Sequence, residues 1–178
     1  MPYFETERLC LRPLHDGDAV FIAREIGNFN VSKNLARVPH PYTIDDAVDF
    51  LDWIKSYDDR SLMCGVEIKK TGQLVGIASY EATRDLGCSE LGYWFAQQFW
   101  GRGFGHEAAK AIVYYAFVTA KLDQLVAGFH NDNPASGRIL LDLGFAEVGQ
   151  NQKFSKARGK KVPTTFLSLT RKSWLRIQ

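Results

Sequence analysis

The chain has 178 residues, 46% of them apolar and 24% charged, with a formal net charge of +2 at neutral pH. These are ordinary values for a globular chain with one buried core, and the charge is too small to argue for nucleic acid or another polyanion as partner. No stretch approaches the roughly 18 apolar residues a membrane span needs.

The opening Met1-Pro2-Tyr3-Phe4-Glu5-Thr6-Glu7-Arg8 carries two acids and no apolar run, so it does not read as a secretion signal. Cys10, Cys64 and Cys88 are an odd count at wide spacing. All three are expected to be buried free thiols rather than a disulfide or a metal site, which points to a reducing cytoplasm. Asn30-Val31-Ser32 matches a glycosylation sequon, which has no meaning without secretion. With no repeat and no linker, residues 1–178 are expected to form a single domain.

In chain order, Arg8 to Leu14 alternates charged and apolar residues, the period of a half-buried strand. His15-Asp16-Gly17-Asp18 supplies a turn and cap for a helix ending near Gly27. Residues 28–42 are expected to be irregular, broken by Pro39 and Pro41. Thr43 caps a helix with Asp45 and Asp46 at the positive end of its dipole, and Ala47, Phe50, Leu51 and Ile54 form its apolar face up to about Asp58. Leu62–Lys69 and Leu74–Ala82 read as a hairpin turning at Lys70-Thr71-Gly72-Gln73, and a third strand runs from Ser89 to about Ala96.

A helix is then expected from Arg102 to about Ala120, burying Phe104, Ala108, Ile112, Tyr115 and Ala116. Leu125–Phe129 is a short strand. Asn133-Pro134-Ala135-Ser136 opens a helix with asparagine as cap and proline at its first position, and Gly144 ends it. Strand resumes at Phe145, and the tail from Phe154 to Trp174 reads as a hairpin turning at Ala157-Arg158-Gly159-Lys160. Mostly antiparallel strands followed by a strand–helix–strand crossover predict an α/β sandwich rather than a doubly wound sheet.

The segment richest in chemistry is Gly101-Arg102-Gly103-Phe104-Gly105, between a strand and a long helix. Glycine lets backbone approach a phosphate and take up positive φ. The first N–H groups of the helix suit a pyrophosphate, and Arg102 adds positive charge. Tight helix packing alone would also explain three glycines. A dinucleotide-binding fold wants this turn after the first strand and an acid about 20 residues on, closing a second strand. Here the turn follows the fourth strand, and Asp123 begins one. A P-loop needs lysine then serine or threonine, which do not follow.

Glu90-Leu91-Gly92-Tyr93-Trp94-Phe95 with Trp100 through Ala108 resembles the central signature of GNAT acetyltransferases. Asn133-Pro134-Ala135-Ser136 is similar to the family's Asn-x-x-Ser, and Leu143-Gly144-Phe145 to its helix-ending Leu-Gly-Phe. Glu7-Arg8-Leu9-Cys10-Leu11-Arg12 resembles the start common in one branch, which includes the enzymes that acetylate the N-terminal alanine or serine of ribosomal proteins. The likeness runs from Glu5 to about Leu169. It implies the GNAT α/β sandwich, a mixed, mainly antiparallel sheet splayed at the cofactor site with helices on both faces.

The resemblance also implies acetyl transfer from acetyl-CoA to a primary amine by direct attack, with no metal. Pantetheine would run along the strand ending at Phe95-Ala96, one of whose N–H groups would polarise the thioester carbonyl. The backbone of Gly101, Arg102, Gly103, Phe104, Gly105 and His106 would hold the pyrophosphate, Asn133 would bond the pantetheine arm, and Ser136 would lie near the sulfur. Glu90 is the first choice of base, against a structural pairing with a nearby cation, and Glu81 the second.

Many family members place a thiolate-protonating tyrosine where this chain has Leu140, which leaves Ser136 or water for that step. Trp100 replaces the usual glutamine or arginine heading the loop, as is common in the same branch. Residues 28–42 would wall the acceptor site, offering Lys33, Arg37, His40 and Tyr42. His15, His40 and His130 read as surface or functional alike, and basic Lys156–Lys161 as a solvated hairpin tip. Trp53, Tyr93, Trp94, Tyr114, Tyr115 and Phe117 read as core. The acceptor is a protein N-terminus or a small amine such as an antibiotic or polyamine; a non-catalytic acyl-CoA sensor is the rival reading. Monomer and homodimer both stay open.

Overall fold

The computed structural model describes residues 3–56, 60–83 and 87–177. In chain order the strands are β1 (Phe4–Glu5), β2 (Leu9–Arg12), β3 (Leu62–Ile68), β4 (Gln73–Ala82), β5 (Ser89–Phe95), β6 (Gln124–His130), β7 (Ala146–Ser155) and β8 (Lys160–Thr170). They form one sheet in the order β1-β2-β3-β4-β5-β6-β8-β7. Every pairing is antiparallel except β5 with β6, which is parallel and holds for only two residue pairs, Ser89↔Leu125 and Glu90↔Val126. Beyond Glu90 and Val126 the two strands part.

Helices cover both faces. α1 (Ala19–Ile26) and α3 (Ile44–Lys55) close one core, where Ala19, Ile22, Ile26, Ala47 and Leu51 meet Ile77 of β4. α4 (Phe104–Tyr114) and α5 (Pro134–Asp142) help to close the larger core on the other face. There Phe104, Ala108, Ile112 and Leu140 pack with Leu91 and Phe95 of β5 and with Leu125, Leu167 and Leu169. α3 starts as its sequence dictates: the Thr43 hydroxyl accepts from the Asp46 N–H, and the Asp46 carboxylate accepts from the Thr43 N–H. Its expected end near Asp58 lies outside the described residues.

Four expectations need correction. The helix after the glycine turn begins at Phe104 rather than Arg102, because Gly103 is left-handed at φ 80°; after Tyr114 it widens into a π-helical turn, Tyr115–Thr119. Residues 28–42 are not wholly irregular. They contain a short helix, α2 (Phe29–Ser32), capped by the Asn28 side chain and burying Val31 and Ser32. The tail does not stay extended to Trp174. Thr170 caps a last turn, α6 (Arg171–Trp174), that buries the tryptophan. Of the three free thiols only Cys64 is buried; Cys10 in β2 and Cys88 just before β5 are partly exposed. Among the described residues no helix is long and apolar enough to cross a membrane.

Candidate active site

Where β5 and β6 part, a cavity of about 1030 Å³ opens and runs from the glycine turn to residues 34–39. Strand alternation divides β5 between its walls. Leu91, Tyr93 and Phe95 face the core under α4 and α5. Trp94 faces α1, stacking on Phe21 at 6.1 Å between ring centres, and alternation puts Glu90 and Gly92 on that side.

The glycine turn closes one end. Gly101 and Gly103 have φ of 73° and 80°, conformations that only glycine takes without strain. The Trp100 indole N–H donates to the Phe95 carbonyl at 2.7 Å, tying the turn back to the strand. The first helical bond of α4 runs from the Glu107 N–H to the Gly103 carbonyl. The N–H groups of Phe104, Gly105 and His106 therefore precede it, at the positive end of the dipole.

A brace from the N-terminal strand holds this turn. Arg8 donates through Nη1 to the Arg102 carbonyl at 2.9 Å and through Nε to Glu107 at 2.6 Å, and its guanidinium lies 4.9 Å from the Phe104 ring centre. Glu107 also accepts from the Arg8 N–H and the Thr6 hydroxyl. Despite partial burial, these donors hold its carboxyl below the usual range. Nothing in the sequence pattern marked this contact.

At the start of α5 the Asn133 side-chain oxygen accepts from the Ser136 N–H at 3.4 Å, and the Asn133 N–H donates to the His130 carbonyl at 2.7 Å. The amide nitrogen of Asn133 has no partner among the described residues. The Tyr93 hydroxyl reaches across from β5 to lie 3.0 Å from Ser136 Oγ. Leu140, one turn further along α5, is buried and lines the same cavity.

Of the residues expected to form the site, Glu90, Phe95, Gly101, Gly103, Phe104, Gly105, His106, Asn133 and Ser136 all line this cavity. Ala96 and Arg102 do not. The Ala96 N–H donates to the Val75 carbonyl at 2.9 Å and is not free to polarise a thioester, and the Arg102 guanidinium sits 5.4 Å from the Phe99 ring centre. Among the described residues no cluster of three or more His, Cys, Asp or Glu is built to hold a metal ion.

The opposite wall is made of paired charges. Lys153 Nζ lies 3.4 Å from Glu90, and Arg37 donates to both Glu81 carboxylate oxygens at 2.9 and 2.8 Å. Arg37 and Tyr42 line the cavity, whereas Lys33 bonds Asn30 and His40 packs on Phe29. Burial pushes the Tyr42 phenol up to about 12. Trp53, Tyr93 and Trp94, read from sequence as core, also line the cavity, and Tyr114 is exposed on the surface.

The basic run is not simply a solvated tip. Arg158 is 11% exposed, forks onto Asp132 at 2.6 and 3.0 Å and donates to the Lys33 carbonyl, while the Lys156 N–H donates to the Ala36 carbonyl. Long-range anchoring of this kind leaves no local signal. His130 lines the cavity and is 4% exposed, whereas the His15 side chain is 62% exposed.

Residues 8–146 match the family described as Acetyltransferase (GNAT) domain. N-acetyltransferase YoaA of Bacillus subtilis, itself uncharacterised, is 27% identical over 173 residues, covering 96% of this chain and 97% of its own. Among solved structures, spermidine N-acetyltransferase from Vibrio cholerae with CoA and spermine superposes with a TM-score of 0.82 at 20% identity, covering 96% of this chain and 99% of the other. Ribosomal-protein-S5-alanine acetyltransferase from Vibrio fischeri gives 0.79 at 21% identity, with coverage of 96% and 97%. These two likenesses concern the fold.

Proposed function

Because this chain belongs to the GNAT acetyltransferase family, we propose that it moves an acetyl group from acetyl-CoA to a primary amine within the cavity between β5 and β6, the whole chain acting as one catalytic unit. The observation that carries this reading is the parting of the two strands after two residue pairs, with the unbonded N–H groups of α4 at the mouth of the gap. A strand edge without a ladder partner offers N–H and C=O groups to an amide-bearing arm such as pantetheine. The N-terminus of α4 offers its N–H groups to a pyrophosphate. A side chain at Gly103 would meet Arg8 Nη2 at 3.2 Å and would have to adopt a φ of 80°, so glycine at this position keeps both the turn and its Arg8 brace.

The amine attacks the thioester carbon, a C–N bond forms and the C–S bond breaks. Glu90 is the proposed proton acceptor for the amine, directly or through water, and Ser136 the hydroxyl beside the departing sulfur. Glu90 is itself paired through one oxygen, 3.4 Å from Lys153, which is the structural alternative for it; Glu81 is held more firmly, with Arg37 on both oxygens. For the acceptor we carry forward a protein N-terminus, on the likeness of Glu7 to Arg12 to the ribosomal-protein branch. A small amine such as a polyamine is the second reading: Asp49 lines the cavity, while Glu81 and Glu90 are carboxylates a competing cationic acceptor would have to draw from Arg37 and Lys153.

Incubation with carbon-labelled acetyl-CoA and cell extract separates the readings. Label on protein supports the N-terminal reading, label on a small molecule the polyamine one. Binding without transfer supports a sensor, and absence of binding defeats the proposal. Glu90→Gln is expected to lower turnover about a hundredfold with acetyl-CoA affinity within about twofold.

A further inference from the structure

We propose that Tyr93 is a positioning residue that turns the Ser136 hydroxyl proton toward the leaving sulfur of the thioester. The inference rests on the functional reading above, which places Ser136 beside that sulfur. Its observation is the contact across the cavity: the Tyr93 hydroxyl is 3.0 Å from Ser136 Oγ and 3.3 Å from the Ser136 carbonyl oxygen.

The Ser136 backbone is already fixed. It is the third residue of α5, and its N–H is tied to the Asn133 side chain. Its hydroxyl has one proton to give and two lone pairs to receive with. Tyr93 is the only partner of that hydroxyl among the described residues. Burial pushes the Tyr93 phenol up to about 12, so it keeps its proton throughout the neutral range. With one proton to share between Ser136 Oγ at 3.0 Å and the Ser136 carbonyl oxygen at 3.3 Å, Tyr93 in the proposed arrangement gives it along the shorter contact. That takes up one Ser136 lone pair and leaves the serine proton to turn into the cavity. The reverse arrangement, Ser136 donating to Tyr93, is what an unchanged thiol titration in Tyr93→Phe would report. Phe95, Phe104, Ile139 and Leu140 line the cavity close by and offer side chains with no competing donor. In apolar surroundings a hydrogen bond to a charged acceptor strengthens.

The step balances without a proton leaving either residue. The amine nitrogen bonds the carbonyl carbon, the C–S bond breaks, and its electron pair stays on sulfur. The proton shed by the nitrogen passes to its acceptor and on to solvent, while Ser136 donates a hydrogen bond to the thiolate and Tyr93 donates to Ser136. A phenol at about 12 is a weaker acid than an alkyl thiol, which titrates near 8.5. Tyr93 therefore orients and does not protonate.

The test uses CoA itself, so it needs no knowledge of the acceptor. The thiol of bound CoA is titrated by the ultraviolet absorbance of its thiolate on the full-length wild type, Tyr93→Phe and Ser136→Ala. Desulfo-CoA affinity is measured alongside. The wild type should hold the bound thiol about one pKa unit below free CoA, a tenfold preference for thiolate, and each variant should erase most of that shift. Desulfo-CoA should bind all three equally. An unchanged thiol titration in Tyr93→Phe would overturn the inference alone. So would an equal loss of CoA and desulfo-CoA affinity, which would mean that Tyr93 merely fastens α5 to the sheet. Failure of the wild type to bind CoA would overturn the functional reading as well.

Discussion

The two walls of the cleft are built from different materials. The wall toward α4 and α5 is largely backbone: two left-handed glycines, the unbonded N–H groups of a helix start, an asparagine cap and a strand edge without a partner. The facing wall is side chains, paired over long sequence distances as Arg37 with Glu81 and Lys153 with Glu90, and it is buttressed from outside the cavity by Arg158 on Asp132. A backbone cradle accepts one ligand shape and tolerates little change. A wall of ion pairs can be rewritten residue by residue while the fold stands.

Exchanging a glycine for alanine should break the first wall and spare the second. Gly103→Ala forces a side chain into φ 80° with its Cβ 3.2 Å from Arg8 Nη2. Strain of about 1–3 kcal/mol at the turn should weaken acetyl-CoA binding roughly tenfold to a hundredfold, measured by calorimetry. Gly159 has a similar φ of 61° but open space around it. Gly159→Ala should cost comparable stability and leave acetyl-CoA affinity within about twofold. Equal losses of affinity would mean that the turn does not hold the cosubstrate.

Arg158→Ala probes the other wall. It removes the fork onto Asp132 and the bond to the Lys33 carbonyl, loosening the β7–β8 tip from residues 28–42 while the Lys156 N–H still holds the Ala36 carbonyl. Half of that pair faces solvent, which limits its worth to about 1 kcal/mol. Acceptor KM should rise by up to about fivefold, with little change in acetyl-CoA affinity. Asp132 adjoins the Asn133 cap, so a matching loss of acetyl-CoA affinity would show that the walls are coupled through this turn.

The same division explains what the sequence made legible. Gly101 to Gly105, Asn133-Pro134-Ala135-Ser136 and Thr43-Ile44-Asp45-Asp46 are local devices, in which the residues that need each other lie within a few positions, and the helices they start were readable from the chain. Short-range patterns also placed β3, β4 and β5 to within a residue or two. Arg8 reaches Arg102 and Glu107, Arg158 reaches Lys33, and Tyr93 reaches Ser136 across 43 to 125 positions. Nothing near any of these residues announces its partner. Tyr93 illustrates the difficulty: as an aromatic residue it reads as core, and its ring packs there, but its hydroxyl meets a helix 43 positions away that the sequence around it does not announce. α6 was missed because the β8 pattern runs straight into Trp174, whose burial ends the strand in a capped turn.

The smallest expected effect falls at the join of the two walls, on His130. Its Nδ1 lies 3.0 Å from Thr164 Oγ1, and that hydroxyl donates its own proton to the Val162 carbonyl. Nδ1 must therefore carry the ring proton, and Nε2 is a bare, buried acceptor without a partner among the described residues. Burial, helped by the Arg158 and Lys153 cations and opposed by Asp132, lowers its pKa from the ordinary 6.5. The unfolded chain thus takes up this proton more readily than the folded one. Stability from neutral His130 is fully present above 6.5 and is lost as pH falls below it toward the folded value. Asp18, Glu107 and Asp132 are held below their ordinary 3.8 to 4.5 and lose their contributions at more acidic pH. Thermal melting between pH 7.5 and 5 should show the wild type losing stability with acid, and His130→Gln should lose less across the same window. An identical slope in the two proteins would mean that the imidazole is not held neutral, and that the unpaired nitrogen at the join of the walls is paired in solution.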